Sequence, residues 1–242
     1  MSSKKSKLSA VIDLNKPHEC EFCHKLFAKE STLISHVCEP RRRHQNQKLT
    51  YVRKAFLAWQ LFHQSLSPSK KAICAKTYQE FASSNLYTAF VKFGSWCEEQ
   101  QVQEFNCFVH WLLKSNVKLD AWCDRNAYDI YLKDLIDSES SEQAISRSLN
   151  TINRWSLETN HPWQQFFIVA GTNLVINWIT QGRISPWVLF NCDSAVTFLE
   201  RCSPEQLGIL QETANIRKWK IKLMRDQSAA DIIKSTLRDA GL

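Results

Sequence analysis

Thiols and an imidazole at close spacing raise the first question about this sequence. The stretch HECEFCHKLFAKESTLISHVCEPRRR, residues 18–43, separates Cys20 from Cys23 by two residues. That spacing lets one tight knuckle present both thiolates to a single ion, and zinc prefers four N or S ligands in a tetrahedron. His36 adds an imidazole and Cys38 a third thiol. The other six cysteines (Cys74, Cys97, Cys107, Cys123, Cys192, Cys202) are scattered singly through apolar, helix-patterned segments. They read as reduced core residues of an intracellular protein. No charged n-region with an apolar h-region opens the chain, so no secretory signal is expected. No apolar run reaches the length of a membrane span.

Cys20, Cys23, Phe27, Leu33 and His36 follow the order C-x2-C-x3-F-x5-L-x2-H, which resembles the two-Cys, two-His zinc finger family. The resemblance covers residues 17–44 and implies a small ββα-like module holding Zn2+. Phe27 and Leu33 would form its core, which is too small to fold without the metal. The last ligand departs from the family, which leaves three to five residues after the first histidine. Here the spacing is H-x-C. Residues two apart on an α-helix point about 200° apart, so Cys38 can join His36 only if the helix unwinds just after His36. Pro40 fits that reading, because a helix normally ends before a proline. Cys38 is the expected fourth ligand, with His44, and then His18 or His24, as alternatives.

The net charge of +7 is unevenly placed: residues 1–54 hold twelve Lys/Arg against five Asp/Glu, and residues 55–242 hold nineteen of each. Such asymmetry points to a polyanion-binding N-terminal segment on a neutral body; a solvated, solubilising tail is the plainer alternative. In the zinc finger family, helix positions −1, 3 and 6 face bases, and the resemblance carries these onto Lys29, Thr32 and Ser35. Lys29 suits a guanine edge, whereas Thr32 and Ser35 are unselective. One finger spans only about 3 bp. The other basic residues (Lys4, Lys5, Lys7, Lys25, Arg41, Arg42, Arg43, Lys48, Arg53, Lys54) read as phosphate contacts, which grip DNA in a salt-dependent, sequence-indifferent way. Single fingers also dock on proteins, so an adaptor is the second reading. A further basic stretch, IRKWKIKLMR at 216–225, offers either a strand-holding cluster around Trp219 or a solvated helix face with Trp219 in the core; the latter is favoured.

These residues need elements to hold them. Five glycines and six prolines are few for 242 residues, which disfavours a turn-rich β architecture. The expected fold is mainly α: a disordered basic arm over 1–16, the finger over 17–44, a connecting helix over 45–68, and an all-helical domain over 69–242. Apolar steps of three and four mark a helix from Tyr51 to Leu66, broken at Pro68, then helices through about residue 100, over 105–113, 119–135 and 144–155. The loop DSESSE at 137–142 offers Ser141 as a cap. Asn160 ahead of Pro162 ends a helix, Ser203–Pro204 starts one, and Gly241 ends the last, over about 228–240.

No phosphate-binding glycine loop, nucleophile elbow, H-E-x-x-H or deaminase pattern occurs. Cys107 and His110 lie three apart on one expected helix and read as the border of an apolar face. No catalytic residues are expected. A basic arm, one finger ending H-x-C-E-x-R-R-R and a Trp-rich helical body with GRISPWVLF at 182–190 resemble accessory proteins of tailed bacteriophages. That resemblance implies a role in a replication, transcription, recombination or packaging complex, with a protein partner and no membrane.

Overall fold

The computed structural model describes residues 17–66 and 76–242. The arm expected over 1–16, with Lys4, Lys5 and Lys7, lies outside the described residues, as do Pro68 and Cys74. The described chain is mainly α, with fifteen α-helices and a single two-stranded sheet beside the Cys/His cluster. It divides into two compact units, one ending at Gln100 and one spanning Gln101–Leu242.

In the first unit, β1 (His18–Glu19) pairs antiparallel with β2 (Leu26–Phe27), His18 opposite Phe27. Five helices follow: α1 (Glu30–Ser35), α2 (Glu39–Gln45), α3 (Thr50–Leu66), α4 (Tyr78–Ser83) and α5 (Tyr87–Glu99). The single helix expected up to about residue 100 is thus two, because Ser84 is extended and closes α4. Helix α2 was not expected at all. Pro40 does not stop the finger helix; it stands in the first turn of α2, where its missing N–H and fixed φ suit a helix start. Helix α3 packs along α5 so closely that a Cβ on Gly94 would lie 2.1 Å from the Tyr51 carbonyl oxygen; the contact requires glycine there. Val52, Ala55 and Trp59 of α3, Phe81 of α4, and Phe90 and Phe93 of α5 form the buried core.

The second unit contains α6 (Phe105–Lys114), α7 (Arg125–Ser138), α8 (Ser141–Thr159), α9 (Phe166–Val169), α10 (Thr172–Thr180), α11 (Pro186–Leu189), α12 (Ala195–Glu200), α13 (Pro204–Thr213), α14 (Ile216–Arg225) and α15 (Gln227–Asp239). Several boundaries match local chemistry. Asn160 takes a left-handed φ of 57° and ends α8. Ser203 and Gln206 form a capping box with Pro204 in the first turn of α13. Gly241, at φ 82°, ends the chain's last helix, its N–H bonding the Arg238 carbonyl and that of Leu242 the Leu237 carbonyl. One cap differs from expectation. Ser140, not Ser141, caps α8 in a box with Gln143, because α7 extends into DSESSE as far as Ser138.

Helix α8 packs on α11 and α15, α10 on α13, and α12 on α9. Ile152, Phe166, Ile179, Trp187, Phe198 and Ile233 are among the buried residues there. Trp219 belongs to that core: it is 2% exposed and meets Trp187 edge-on at 5.4 Å, so its indole is not offered to a base. Cys192 is buried here and Cys97 in the first unit, but Cys107 is exposed. It stands beside the buried stripe Phe108, Val109 and Leu112 of α6, not on it, and His110 is exposed on the same rim.

A buried ion pair ties α8 to the junctions around it. Glu139, between α7 and α8, accepts from Ser185 Oγ and pairs with Arg147 of α8. The Glu139 and Arg147 side chains are 0% and 5% exposed, and Arg147 Nε and Nη1 have no protein hydrogen-bond partner. The Ser185 N–H donates to Ser148 Oγ at 2.9 Å. Burial pushes the Glu139 carboxyl up, against the pull of Arg147 and Ser185, which favour its anion.

Candidate metal centre

The knuckle forms immediately after β1. The Cys20 N–H bonds the Lys25 carbonyl at 3.0 Å and the His24 N–H bonds the Cys20 carbonyl at 2.8 Å, with His24 at a left-handed φ of 58°. The chain therefore doubles back within four residues and brings Cys23 beside Cys20. On the other side, α1 ends at Ser35, and His36 is already extended at φ −70°, ψ 123°. Cys38 is extended too, at φ −108°, ψ 161°. This resolves the odd spacing. In extended chain, residues two apart project to the same side, so H-x-C works where it would fail on a helix. Arg41 secures this turn: its Nη1 donates to the His36 carbonyl at 2.7 Å and the Ile34 carbonyl at 3.4 Å.

Cys20, Cys23, His36 and Cys38 come together with ligand atoms all within 4.8 Å of one another, a group that could hold a metal ion. Cys23 Sγ lies 3.2 Å from His36 Nε2, and the sulfurs of Cys20 and Cys38 are 3.9 Å apart. Tetrahedral ligation at zinc bond lengths places sulfurs about 3.8 Å apart and sulfur and nitrogen about 3.6 Å apart. The three-thiol, one-imidazole set is thus compatible with zinc in both donor type and size. The histidines weighed as alternatives are elsewhere: His24 Nδ1 bonds Glu19 Oε1 at 2.8 Å, His44 lies in α2 against Phe22 with ring centroids 5.1 Å apart, and His18 is in β1.

The neighbouring thiols act on one another. Backbone N–H groups, that of Phe22 foremost, lower the Cys20 pKa. The Lys25 N–H also favours a thiolate at Cys23, but burial and the adjacent Cys20 and Cys38 sulfurs outweigh it and raise that thiol. Like charge on adjacent sulfurs opposes ionising more than one of them, and a bound cation offsets that repulsion. Beyond the ligands there is little to hold the module: among the described residues of 17–44, Cys20 alone is buried. The ring of Phe27 lies 4.6 Å from that of His36, and Leu33 is only half-buried.

The basic residues are not one patch. Arg41, Arg42 and Arg43 are successive positions of α2, so their side chains diverge by about 100° each. Arg41 faces back to the finger. Arg42 pairs with Glu39 at the surface. Arg43 points into the unit: Nη1 donates to the Ala82 carbonyl at 2.7 Å, Nε to Glu39 Oε1 at 3.1 Å, and the guanidinium lies 4.4 Å over the Tyr87 ring. Tyr78 Oη donates to the Arg43 carbonyl at 2.6 Å. Lys54 stands 3.9 Å from Glu98. Lys25, Lys29, Lys48 and Arg53 are exposed, with no ion pair among the described residues. Thr32 is exposed on α1, a helix of only six residues, and Ser35 Oγ is turned back to the Ser31 and Thr32 carbonyls.

The clamp made by Arg43 was invisible to sequence reading, since Ala82, Tyr78 and Tyr87 lie far along the chain. Arg43→Ala is expected to lower the stability of the first unit by about 2 kcal/mol in urea unfolding, as hydrogen bonds to charged groups contribute about 1.5–3 kcal/mol each. Arg42→Ala, a surface change, is expected to shift it by less than about 0.5 kcal/mol.

No family model, no curated protein and no solved structure matches this chain.

Proposed function

We propose that Cys20, Cys23, His36 and Cys38 bind Zn2+, and that the module so formed is a non-enzymatic nucleic-acid grip. The carrying observation is the location of charge: the whole +7 excess resides in the first 54 residues, around the metal ligands. Zinc here is structural, because four protein ligands leave no open position for chemistry. Lys25, Lys29, Lys48 and Arg53 supply phosphate contacts, and DNA is the favoured polymer. A short finger helix bearing Lys29 and Thr32 reads few bases, so affinity comes from the backbone. The helical remainder, neutral in net charge, serves to dock the grip in a larger complex. A setting in a tailed-phage replication or transcription assembly rests on the sequence layout alone.

The test is binding of labelled duplex and single-stranded DNA to the zinc-loaded protein over a salt series. Affinity is expected to fall steeply with salt, the slope losing about one unit per phosphate contact removed. The combined substitution of Lys25, Lys29, Lys48 and Arg53 by Gln is expected to weaken binding at least about tenfold with zinc content intact. Binding that ignores both salt and these substitutions refutes the grip.

A second reading, a protein-docking finger, is favoured by one observation: Leu26, Ile34 and Val37 are 58%, 69% and 71% exposed. Three large apolar side chains on so small a module suit a protein surface better than phosphate. Under that reading, replacing them by Ser abolishes nuclease-resistant co-purification of a partner and leaves DNA binding unchanged.

A further inference from the structure

Helix α14 has two unlike faces. Inward, Trp219 is buried, Leu223 packs against the core, and Lys222 lies 4.6 Å over the Trp219 ring while donating to the Asp137 carbonyl at 2.9 Å. At about 100° per residue, Arg217, Lys220, Ile221, Met224 and Arg225 share the opposite face, and all five are exposed. Ile221 and Met224, 52% and 69% exposed, are adjacent on that face. Lys220 and Arg225 flank them, and Arg217 stands one turn before Ile221. No ion pair engages Arg217, Lys220 or Arg225 among the described residues, whereas Lys218, on the side of the helix, pairs with Asp137.

We propose that this outer face of α14 docks an acidic amphipathic helix of a partner protein. The apolar pair would seat the partner's apolar stripe, and the three cations would meet carboxylates on either side of it, the helix-against-helix mode read by anchors one turn apart. Charge complementarity selects the partner. The face carries three uncompensated positive charges on a unit that has no positive excess of its own to steer polyanions generally. Its two central residues give no benefit to a phosphate backbone, which offers nothing apolar to bury against them. The helix's one aromatic residue, Trp219, points inward, so neither base stacking nor a Trp/Phe-rich insertion into lipid describes this face. The surface lies in the second unit.

The test uses the full-length, zinc-loaded protein and a labelled peptide carrying Glu and Leu at amphipathic helical spacing. A scrambled peptide of equal composition, a single-stranded oligonucleotide and phosphatidylserine vesicles serve as comparison ligands. The amphipathic peptide is expected to bind. Ile221→Ser with Met224→Ser, and separately Arg217→Gln with Lys220→Gln and Arg225→Gln, are each expected to weaken it at least about tenfold, the scale of lost interface anchors. Leu157→Ser, an exposed apolar change on α8, is the control and is expected to leave it unchanged. The positions are exposed, so unaltered thermal melting is expected of every variant. The proposal is overturned by equal binding of the scrambled peptide, by peptide affinity indifferent to the Ile221/Met224 pair, or by no peptide binding. Oligonucleotide or vesicle binding that depends on that pair, or self-association abolished by the same substitutions, overturns it equally.

Discussion

Without a metal at Cys20, Cys23, His36 and Cys38, residues 17–38 are expected to unfold while the α3–α5 core stays folded. Among the described residues of the finger only Cys20 is buried, and the sheet has two residues per strand. Nothing of that size pays the entropy of ordering some twenty residues, roughly 1–2 kcal/mol each for the backbone. Structural zinc contributes about 10–16 kcal/mol of apparent binding free energy in finger peptides, enough to decide the state of the segment. The α3–α5 core has its own packing through Val52, Trp59, Phe81, Phe90 and Phe93. Hydrogen exchange after chelation, or in Cys20→Ser, is therefore expected to reach unprotected rates over 17–38 and to stay slow over α3 and α5. Arg43 holds α2 to α4, so residues 39–45 are expected to lose only part of their protection. Persistent protection of 17–38 in protein shown by elemental analysis to be metal-free would mean that the finger stands without an ion. Cys38→Ser, read by competition with a metal-binding dye, is expected to weaken zinc at least about tenfold; unchanged affinity removes Cys38 as a ligand.

The second large effect lies in the helical unit. Arg147→Met is expected to cost about 3–5 kcal/mol at neutral pH, the usual penalty for stranding one charge of a buried pair. Glu139 would then be a buried anion without its paired cation, left with Ser185 Oγ of its present bonds and with Lys222 acting only through longer-range attraction. Its carboxyl is already pushed up by burial in the native protein, and losing Arg147 pushes it further. A carboxyl whose folded pKa exceeds its unfolded value favours folding below the unfolded pKa, and that advantage is lost as pH rises through the folded pKa. The penalty of Arg147→Met is thus expected to shrink as pH falls toward the carboxylate range. Glu139→Gln with Arg147→Met, which removes both charges, is expected to recover most of the loss. Urea unfolding of the three proteins at two pH values measures this. A penalty independent of pH would assign it to lost packing of the Arg147 stem instead.

Helix ends were legible because they are decided by residues a few positions apart, and the Cys/His cluster because its four members fall within nineteen residues. Ser203 with Gln206, Asn160 before Pro162 and the terminal Gly241 each carry their own stop or start chemistry. C-x2-C closes a knuckle whatever surrounds it. Pro40 is ambiguous for a local reason too: proline both ends one helix and begins the next, and only the observed α2 shows which. Trp219 could be placed in the core from its neighbours' periodicity, but its Trp187 partner could not.

What the sequence by itself determined is a four-residue Cys/His cluster in a basic N-terminal segment ahead of an all-helical body, since composition, spacing and periodicity are properties of neighbouring residues. Tertiary structure decided how the charges are used. Arg43 reads in the sequence as one of three equivalent arginines and is in fact bound across 39 positions to Ala82. Glu139 reads as part of an acidic loop and is in fact paired inside the protein with Arg147 and Ser185. A charged side chain's role depends on what surrounds it as well as on the charge that answers it; Glu39 and Arg147 lie near in sequence, but Ala82 and Ser185, 39 and 46 positions away, are brought in only by folding.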